Sequence, residues 1–205
     1  MTPTFMETHT TRYRSDDNQY PNDPLIPQSM QWRTDPYWRS GYDHGHICPS
    51  ADRLNSAEAN YQTFFMTNMQ PMYNGYNAGL WGKMENKMRI IARQCDTLYV
   101  CKGGTIDGGS YNGFNKIYRT EASGMLVPRF YYMALLRANG GQYTAMAFWS
   151  DQISDIDDPG TALAKFAISI DELEKRTGID FFCNLPDKIE NEVEKTYNST
   201  LSWGL

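Results

Sequence analysis

The chain has 205 residues, 40% of them hydrophobic and 21% charged, a balance that excludes a disordered tail, a collagen-like repeat and a coiled coil. No stretch comes near the roughly 18 consecutive apolar residues of a membrane-spanning helix. The formal net charge of −5 argues against a nucleic-acid-binding protein, but the charge is unevenly distributed. Residues 81–137 carry a net charge of +5, whereas residues 138–205 carry −7.

The first half of the chain is predicted to be irregular at its start. Prolines, glycines and turn-forming Asp and Asn residues interrupt residues 1–42. A short helix capped by Ser56 is predicted to follow and to lead into an apolar strand at residues 64–66. The clearest helix covers residues 77–94, where apolar side chains recur at intervals of three and four.

The second half alternates in the manner of β-strands at residues 97–101, 114–119, 126–137 and 142–149. The sequence Asn139-Gly140-Gly141 predicts a hairpin between the last two strands. Ser169 and Glu172 form a capping box for a helix that Gly178 ends, and a last helix is predicted from Pro186. These elements predict a mixed α+β single domain over residues 1–205, with antiparallel strands.

The first polar cluster, residues 41–53, contains the tetrapeptide Asp43-His44-Gly45-His46. An imidazole can act as a general base near neutral pH, and glycine allows close backbone approach. Asp43 has the chemistry to orient an imidazole or to hold a metal-bound water.

Zinc binding is the alternative function of this cluster, because His44, His46 and Cys48 would share one face of a strand. No well-spaced fourth ligand appears in the sequence, which argues against it. The cysteines form no CxxC pair, so two disulfides, one or none are all compatible with the sequence. They are Cys48, Cys95, Cys101 and Cys183.

The second polar cluster lies in and just before the predicted helix at residues 77–94, and it contains Asn68, Asn77, Glu85 and Arg89. Amide and carboxylate oxygens suit a hard cation such as Mg²⁺. In a helix, Asn77 and Glu85 would be separated by about 12 Å along the axis. We therefore expect Asn77 to bind the ion directly and Glu85 to reach it through a water molecule.

Together these segments resemble the DNA/RNA non-specific endonucleases, the ββα-metal (His-Me finger) family that includes endonuclease G. The family hallmark Asp-Arg-Gly-His is matched by Asp43-His44-Gly45-His46, and the spacings from Asn68 to Arg89 and the segment 171–184 are also similar. The resemblance extends over roughly residues 14–195. It implies a central antiparallel sheet flanked by helices, and a Mg²⁺-dependent, sugar-non-specific endonuclease that hydrolyses phosphodiester bonds of DNA and RNA.

The resemblance also implies a role for each matching residue. His46 would be the general base that activates water, and Asn77 would be the one direct protein ligand of Mg²⁺, which Mn²⁺ can replace. Glu85 would hold metal-bound water, and Asn68 would help to order the site. Asp43 completes the predicted catalytic group.

Substrate binding would fall to basic residues that contact phosphate without reading bases. The resemblance assigns this role to Arg89, to position 44 and to an upstream arginine, for which Arg14 is the best match and Arg12 the alternative. His44 replaces the usual family arginine and supplies no bidentate fork for phosphate. This departure supports a second hypothesis, a catalytically weak or inactive member that binds nucleic acid or a partner protein.

Several expectations concern the whole protein. Family members carry strands ahead of the upstream arginine, so we expect this chain to lack N-terminal strands of a longer protein. Family habit implies a secreted or periplasmic enzyme, although residues 1–11 do not read as a signal peptide. We expect DNA and RNA as partners and no membrane, and the sequence leaves the oligomeric state open.

Overall fold

A computed structural model describes residues 20–155, 162–195 and 200–205. The α-helices are α1 Ala57–Gln62, α2 Asn74–Tyr76, α3 Gly82–Ala92, α4 Ile170–Thr177 and α5 Asp187–Lys195. A π-helical turn, Asn77–Trp81, joins α2 to α3. The strands are β1 Asp43–His46, β2 Met69–Met72, β3 Thr97–Gly104, β4 Ser110–Tyr111, β5 Phe114–Asn115, β6 Ile117–Thr120, β7 Leu126–Pro128, β8 Phe130–Asn139, β9 Gln142–Asp151 and β10 Ala167–Ile168.

The main sheet has four antiparallel strands in the order β10-β9-β8-β3. Its longest hairpin, β8–β9, pairs Asn139 with Gln142, so that Gly140 and Gly141 form the two-residue loop. Both glycines have positive φ, 55° and 78°, which a two-residue hairpin turn of this kind requires. The hairpin predicted from Asn139-Gly140-Gly141 is therefore confirmed.

The two faces of the main sheet are covered by different helices. Met133 and Leu135 of β8 face the buried core that includes Met84 and Met88 of α3. Their neighbours on β8 face the opposite way, into a second core formed with α4 and α5. Because successive side chains of a strand alternate, β8 is buried on both faces. The predicted α+β architecture, a central antiparallel sheet flanked by helices, is confirmed.

A smaller unit of two strands and a helix holds the predicted site residues. Strands β1 and β2 are antiparallel, with His46 opposite Met69 and Gly45 opposite Gln70. A Cβ atom at Gly45 would lie 2.5 Å from Cγ of Met72, so no larger residue fits between the strands. The chain then continues through α2 and the π-helical turn into α3, which anchors the unit on the main sheet.

The strand predicted at residues 64–66 is wrong. Phe64 and Phe65 lie in a turn that follows α1, where their amides donate to carbonyls three residues earlier. A 3₁₀ turn, Met66–Asn68, comes next, and β2 begins only at Met69. The apolar run is used for packing, because the ring of Phe64 meets the imidazole of His46 edge-on with centroids 5.3 Å apart.

The predicted helix caps at Ser56, Ser169 and Gly178 are confirmed, whereas the helix predicted at residues 77–94 is a π-helical turn followed by an α-helix that ends at Ala92. Ser56 Oγ accepts a hydrogen bond from the backbone amide of Ala59 at the start of α1. Ser169 Oγ accepts one from the backbone amide of Glu172 at the start of α4. Gly178 ends α4 with φ of 73°. None of the helices in the described segments is long and apolar enough to cross a membrane.

Candidate active site

His46 stands at the end of β1 with one ring nitrogen ready to accept a proton. Its Nε2 atom is buried and has no hydrogen-bond partner among the described residues. The ring makes a hydrogen bond to the backbone of His44. Burial lowers the pKa of His46 to about 4, and the charges of His44 and Lys102 act in the same direction. The imidazole is therefore neutral at physiological pH.

Asp43, at the other end of β1, holds two amides in place. Its Oδ2 atom accepts hydrogen bonds from Nδ2 of Asn74 at 2.9 Å and from Nδ2 of Asn77 at 3.0 Å. Because the amide nitrogen of Asn77 is engaged, the amide oxygen is left as the atom available to a ligand. Asp43 thus orients Asn77, and no hydrogen bond joins it to His46 in the described part of the chain.

Glu85, on α3, belongs to a network of buried charges. Its Oε1 lies 3.0 Å from Nζ of Lys102, and its Oε2 lies 3.6 Å from Nη2 of Arg89. Burial raises the pKa of Glu85, which Lys102 and Arg89 partly offset. Two cationic side chains therefore favour the ionised form of this carboxylate in a site where burial disfavours it.

Arg89 is more constrained than the phosphate-binding role predicted from the sequence requires. Its Nε donates to Oδ1 of Asp52 at 2.7 Å, and Asp52 is almost completely buried. The Nη1 atom donates to Asn86 at 2.9 Å. Arg89 is therefore committed to structural partners on two sides, and only part of its guanidinium is left for a substrate.

Lys102 is the residue of this site that sequence analysis missed. Its side chain is 6% exposed, and its ammonium lies 5.5 Å from the ring centroid of Trp81. Trp81 in turn donates from Nε1 to the backbone carbonyl of His46, and this hydrogen bond connects the π-helical turn to β1. The available signal was a single lysine on the inward face of the apolar strand β3.

Asn68 is tied to the backbone by its whole side-chain amide. Its Oδ1 accepts from the amide of Cys48 at 2.9 Å, and its Nδ2 donates to the carbonyls of Cys48 and Thr63. These three hydrogen bonds hold the chain that leaves β1 after His46. Both donors of the Asn68 side chain are therefore used to hold the backbone and are not available to a ligand.

His44 is enclosed rather than presented to solvent. Its ring stacks between Tyr20, at 3.6 Å between centroids, and Tyr37, at 4.1 Å. Its Nε2 lies 3.0 Å from Oδ2 of Asp35. Burial lowers the pKa of His44 and Asp35 opposes that effect. Position 44 is thus a packed, acid-paired imidazole rather than a free cation.

Two sequence predictions fall outside this geometry. Arg14 and Arg12, the candidates for the upstream arginine, lie outside the described residues. The zinc alternative is wrong, because His44, His46 and Cys48 are not among the described groups whose ligand atoms converge. The four cysteines are all unpaired.

Comparison with known proteins identifies relatives of one kind. Nuclease C1 of Cunninghamella echinulata var. echinulata is 28% identical over 174 residues, which cover 83% of this chain and 68% of the relative. The nuclease of Syncephalastrum racemosum is 30% identical over 181 residues, with 83% and 56% covered. Mitochondrial endonuclease G of Homo sapiens is 28% identical over 156 residues, with 73% and 51% covered. The chain thus spans about half to two thirds of the length of these relatives.

A solved structure and a family model lead to the same group of nucleases. The structure of EndoG in the EndoG/EndoGI complex matches with a TM-score of 0.79 over 92% of this chain and 78% of that chain, at 20% identity. This similarity shows the fold, which is the ββα-metal nuclease fold. The family described as DNA/RNA non-specific endonuclease matches residues 6–188. The chain therefore belongs to the DNA/RNA non-specific endonuclease family.

Proposed function

We propose that this chain is a Mg²⁺-dependent, sugar-non-specific endonuclease in which His46 is the general base. The observation that carries the proposal is the buried, unpartnered Nε2 of His46, on an imidazole whose low pKa keeps it neutral. A neutral imidazole whose ring nitrogen keeps an unshared lone pair can take a proton from water as that water attacks phosphorus. The ring of Phe64 packs edge-on against this imidazole.

The residues near His46 fit a hard divalent cation. Asp43 engages the amide nitrogen of Asn77 and leaves its oxygen free, and Glu85 adds a carboxylate that Lys102 helps to keep ionised. Asn77 would hold the metal directly, and Glu85 would hold the surrounding water. When bound, Mg²⁺ stabilises negative charge that develops on the phosphoryl group and on the leaving oxygen.

Phosphate recognition would rest on the cations of the same network. Lys102 and Arg89 carry positive charge beside Glu85. Contacts of this kind go to the nucleic-acid backbone and predict cleavage of both DNA and RNA, with binding that weakens as salt rises. Secretion or export to the periplasm remains a prediction from family habit.

The test is a cleavage assay with the purified chain on supercoiled plasmid and on RNA. We expect both substrates to be cut with Mg²⁺ or Mn²⁺, and neither to be cut after chelation with EDTA. The variant His46→Ala should be folded and inactive under all conditions. Cleavage of equal rate in EDTA would overturn metal dependence.

The enclosure of His44 favours a second candidate function, a weak or inactive member that binds nucleic acid or a partner protein. In this protein Asp35, Tyr20 and Tyr37 surround the position at which the family carries arginine. If nucleic acid binds and no metal supports cleavage, this function replaces the first. The alternative predicts retarded migration of labelled DNA without any change in its length.

A further inference from the structure

A cluster of acidic side chains lies on the opposite face of the main sheet from α3. Asp171 and Glu174 of α4 and Glu194 of α5 bring carboxylate oxygens within 4.8 Å of one another. Helices α4 and α5 pack on the second core through Leu173 and Val193, so the backbone that carries the three carboxylates is fixed. The cluster is thus separated from His46 by the sheet.

Glu194 is the unusual member of this cluster. The residue is only 8% exposed, and its Oε1 is buried with no hydrogen-bond partner among the described residues. A buried carboxylate without a partner costs several kcal/mol by rough estimate, and nearly all buried polar groups in proteins are satisfied. This oxygen therefore indicates a missing partner, which is a water molecule, a proton or a bound ion.

The charges that shift the pKa of Glu194 are of one sign. Burial raises the pKa of Glu194 to about 7, and all the charged neighbours that contribute are acidic: Glu174, Glu190, Asp171 and Asp180. Burial also raises the pKa of Glu174, together with the charges of Asp180, Asp171 and Glu190. The basic Arg176 of α4 is paired with Glu172 at 2.8 Å and does not neutralise the cluster.

The geometry of Glu174 favours an ion over a proton. Its Oε1 accepts a hydrogen bond from the amide of Phe181 at 2.7 Å, which fixes the direction of the carboxylate. One proton can be shared between two carboxylates, whereas three converge here and two further acids lie near enough to act on them. A divalent cation would neutralise two charges at once and could bind all three carboxylates.

We propose that Asp171, Glu174 and Glu194 form a binding site for a hard divalent cation, Ca²⁺ or Mg²⁺, which is separate from the catalytic site. Water would complete the coordination shell. The ion would join α4 to α5 and stabilise their packing on the main sheet. This site takes no part in cleavage, so the inference does not depend on the proposed nuclease function.

The test is thermal unfolding of the full chain at pH 7.5, in the Asn77→Ala background, which removes the direct ligand proposed for the catalytic ion. Ca²⁺ alone and Mg²⁺ alone are titrated after removal of metal with EDTA. We expect a saturable rise in Tm on the order of 5 °C at about one hundred times the dissociation constant, since ligand binding stabilises by mass action. The ion that raises Tm at the lower concentration is the cation for which the site is selective.

Variants separate this site from general salt effects. The change Glu194→Gln should abolish the metal-dependent rise, and Asp171→Asn should weaken it if Glu194→Gln does not fold. The control Glu192→Gln removes an exposed carboxylate from the same helix and should leave the rise unchanged. Calorimetric titration should find one bound ion in the Asn77→Ala chain and none after Glu194→Gln is added.

Two results would overturn the proposal. One is the absence of a metal-dependent rise in the Asn77→Ala chain, which would mean that Glu194 holds a proton or a water molecule instead. The other is an equal rise in the chains with and without Glu194→Gln. Neither result bears on nuclease activity, which is measured separately with the unaltered chain.

Discussion

Lys102 donates a hydrogen bond to Glu85 over 3.0 Å, and the lysine side chain is only 6% exposed. A lysine buried to this degree needs a partner, and the carboxylate of Glu85 provides it. The same ammonium lies near the ring of Trp81 and lowers the pKa of His46. One residue of the main sheet therefore acts on two groups of the proposed site.

We expect Lys102→Met to lower kcat/KM by about tenfold to a hundredfold, the usual cost of losing a group that supports metal-site residues. Without the ammonium, the pKa values of Glu85 and His46 both rise, so the acidic limb of the pH–rate profile should move to higher pH. The measurement is a pH–rate profile on plasmid DNA. Lys102→Arg, which keeps the charge, should retain the original limb, and a purely structural role would leave the limb in place in both variants.

His46→Ala should reduce cleavage by at least a hundredfold, because a positioned general base contributes about 10² to 10⁴ in rate. The measurement is the initial rate of plasmid nicking with saturating Mg²⁺. A folded chain is expected, since Nε2 makes no hydrogen bond to the described residues, and circular dichroism checks it. Substantial remaining activity in a folded variant would contradict the assignment of His46.

The acidic limb of activity should lie near pH 4 rather than near the ordinary histidine value of 6.5, because burial lowers the pKa of His46 to about 4. The sign for stability follows from the same shift. Between pH 6.5 and 4 the unfolded chain binds a proton at this position and the folded chain does not, so acid removes stability over that window. Urea unfolding at several pH values should show a smaller loss for His46→Ala than for the unaltered chain.

Local patterns predicted most of the secondary structure. The alternation of side chains in the strands, the hairpin at Asn139-Gly140-Gly141 and the helix cap at Ser169 each involve residues that are near in sequence. The hairpin strands and the cap are confirmed. Phe64 and Phe65 were misread because an apolar run serves equally as a strand or as packing for a neighbouring ring. Only the folded chain shows that Phe64 packs against the ring of His46.

The candidate site was predictable where its residues come from one segment. Asp43 to His46 and Asn77 to Arg89 each lie close together in sequence, and their resemblance to the motifs of the endonuclease family indicated them. Lys102 comes from β3, and its pairing with Glu85 depends on how α3 lies on the sheet, which no local pattern specifies. The partners of Arg89 and His44 were hidden for the same reason, since Asp52 and Asp35 approach them only after folding.

The substitution His44→Arg restores the hallmark of the family and tests whether position 44 limits activity. Arginine can stack between Tyr20 and Tyr37 and pair with Asp35, so we expect the variant to fold. The guanidinium would add a permanent charge beside β1, and we expect KM for DNA to fall by about threefold to tenfold, as for one added ionic hydrogen bond. An unchanged KM would show that position 44 does not contact substrate.

Asp43→Asn tests how Asn77 is oriented. The carboxylate Oδ2 accepts hydrogen bonds from both Asn74 and Asn77. An asparagine in its place offers these two donors an uncharged and therefore weaker acceptor, and its own NH₂ group cannot accept from them. The amide of Asn77 would then be free to rotate, and we expect the Mg²⁺ concentration for half-maximal cleavage to rise by about tenfold to a hundredfold. The maximal rate at saturating Mg²⁺ should change much less, because no hydrogen bond joins Asp43 to His46 in the described part of the chain. The control Asp107→Asn removes an exposed carboxylate that pairs with Lys116 and should leave the Mg²⁺ requirement unchanged. A loss of maximal rate with an unaltered Mg²⁺ requirement would instead place Asp43 in proton transfer.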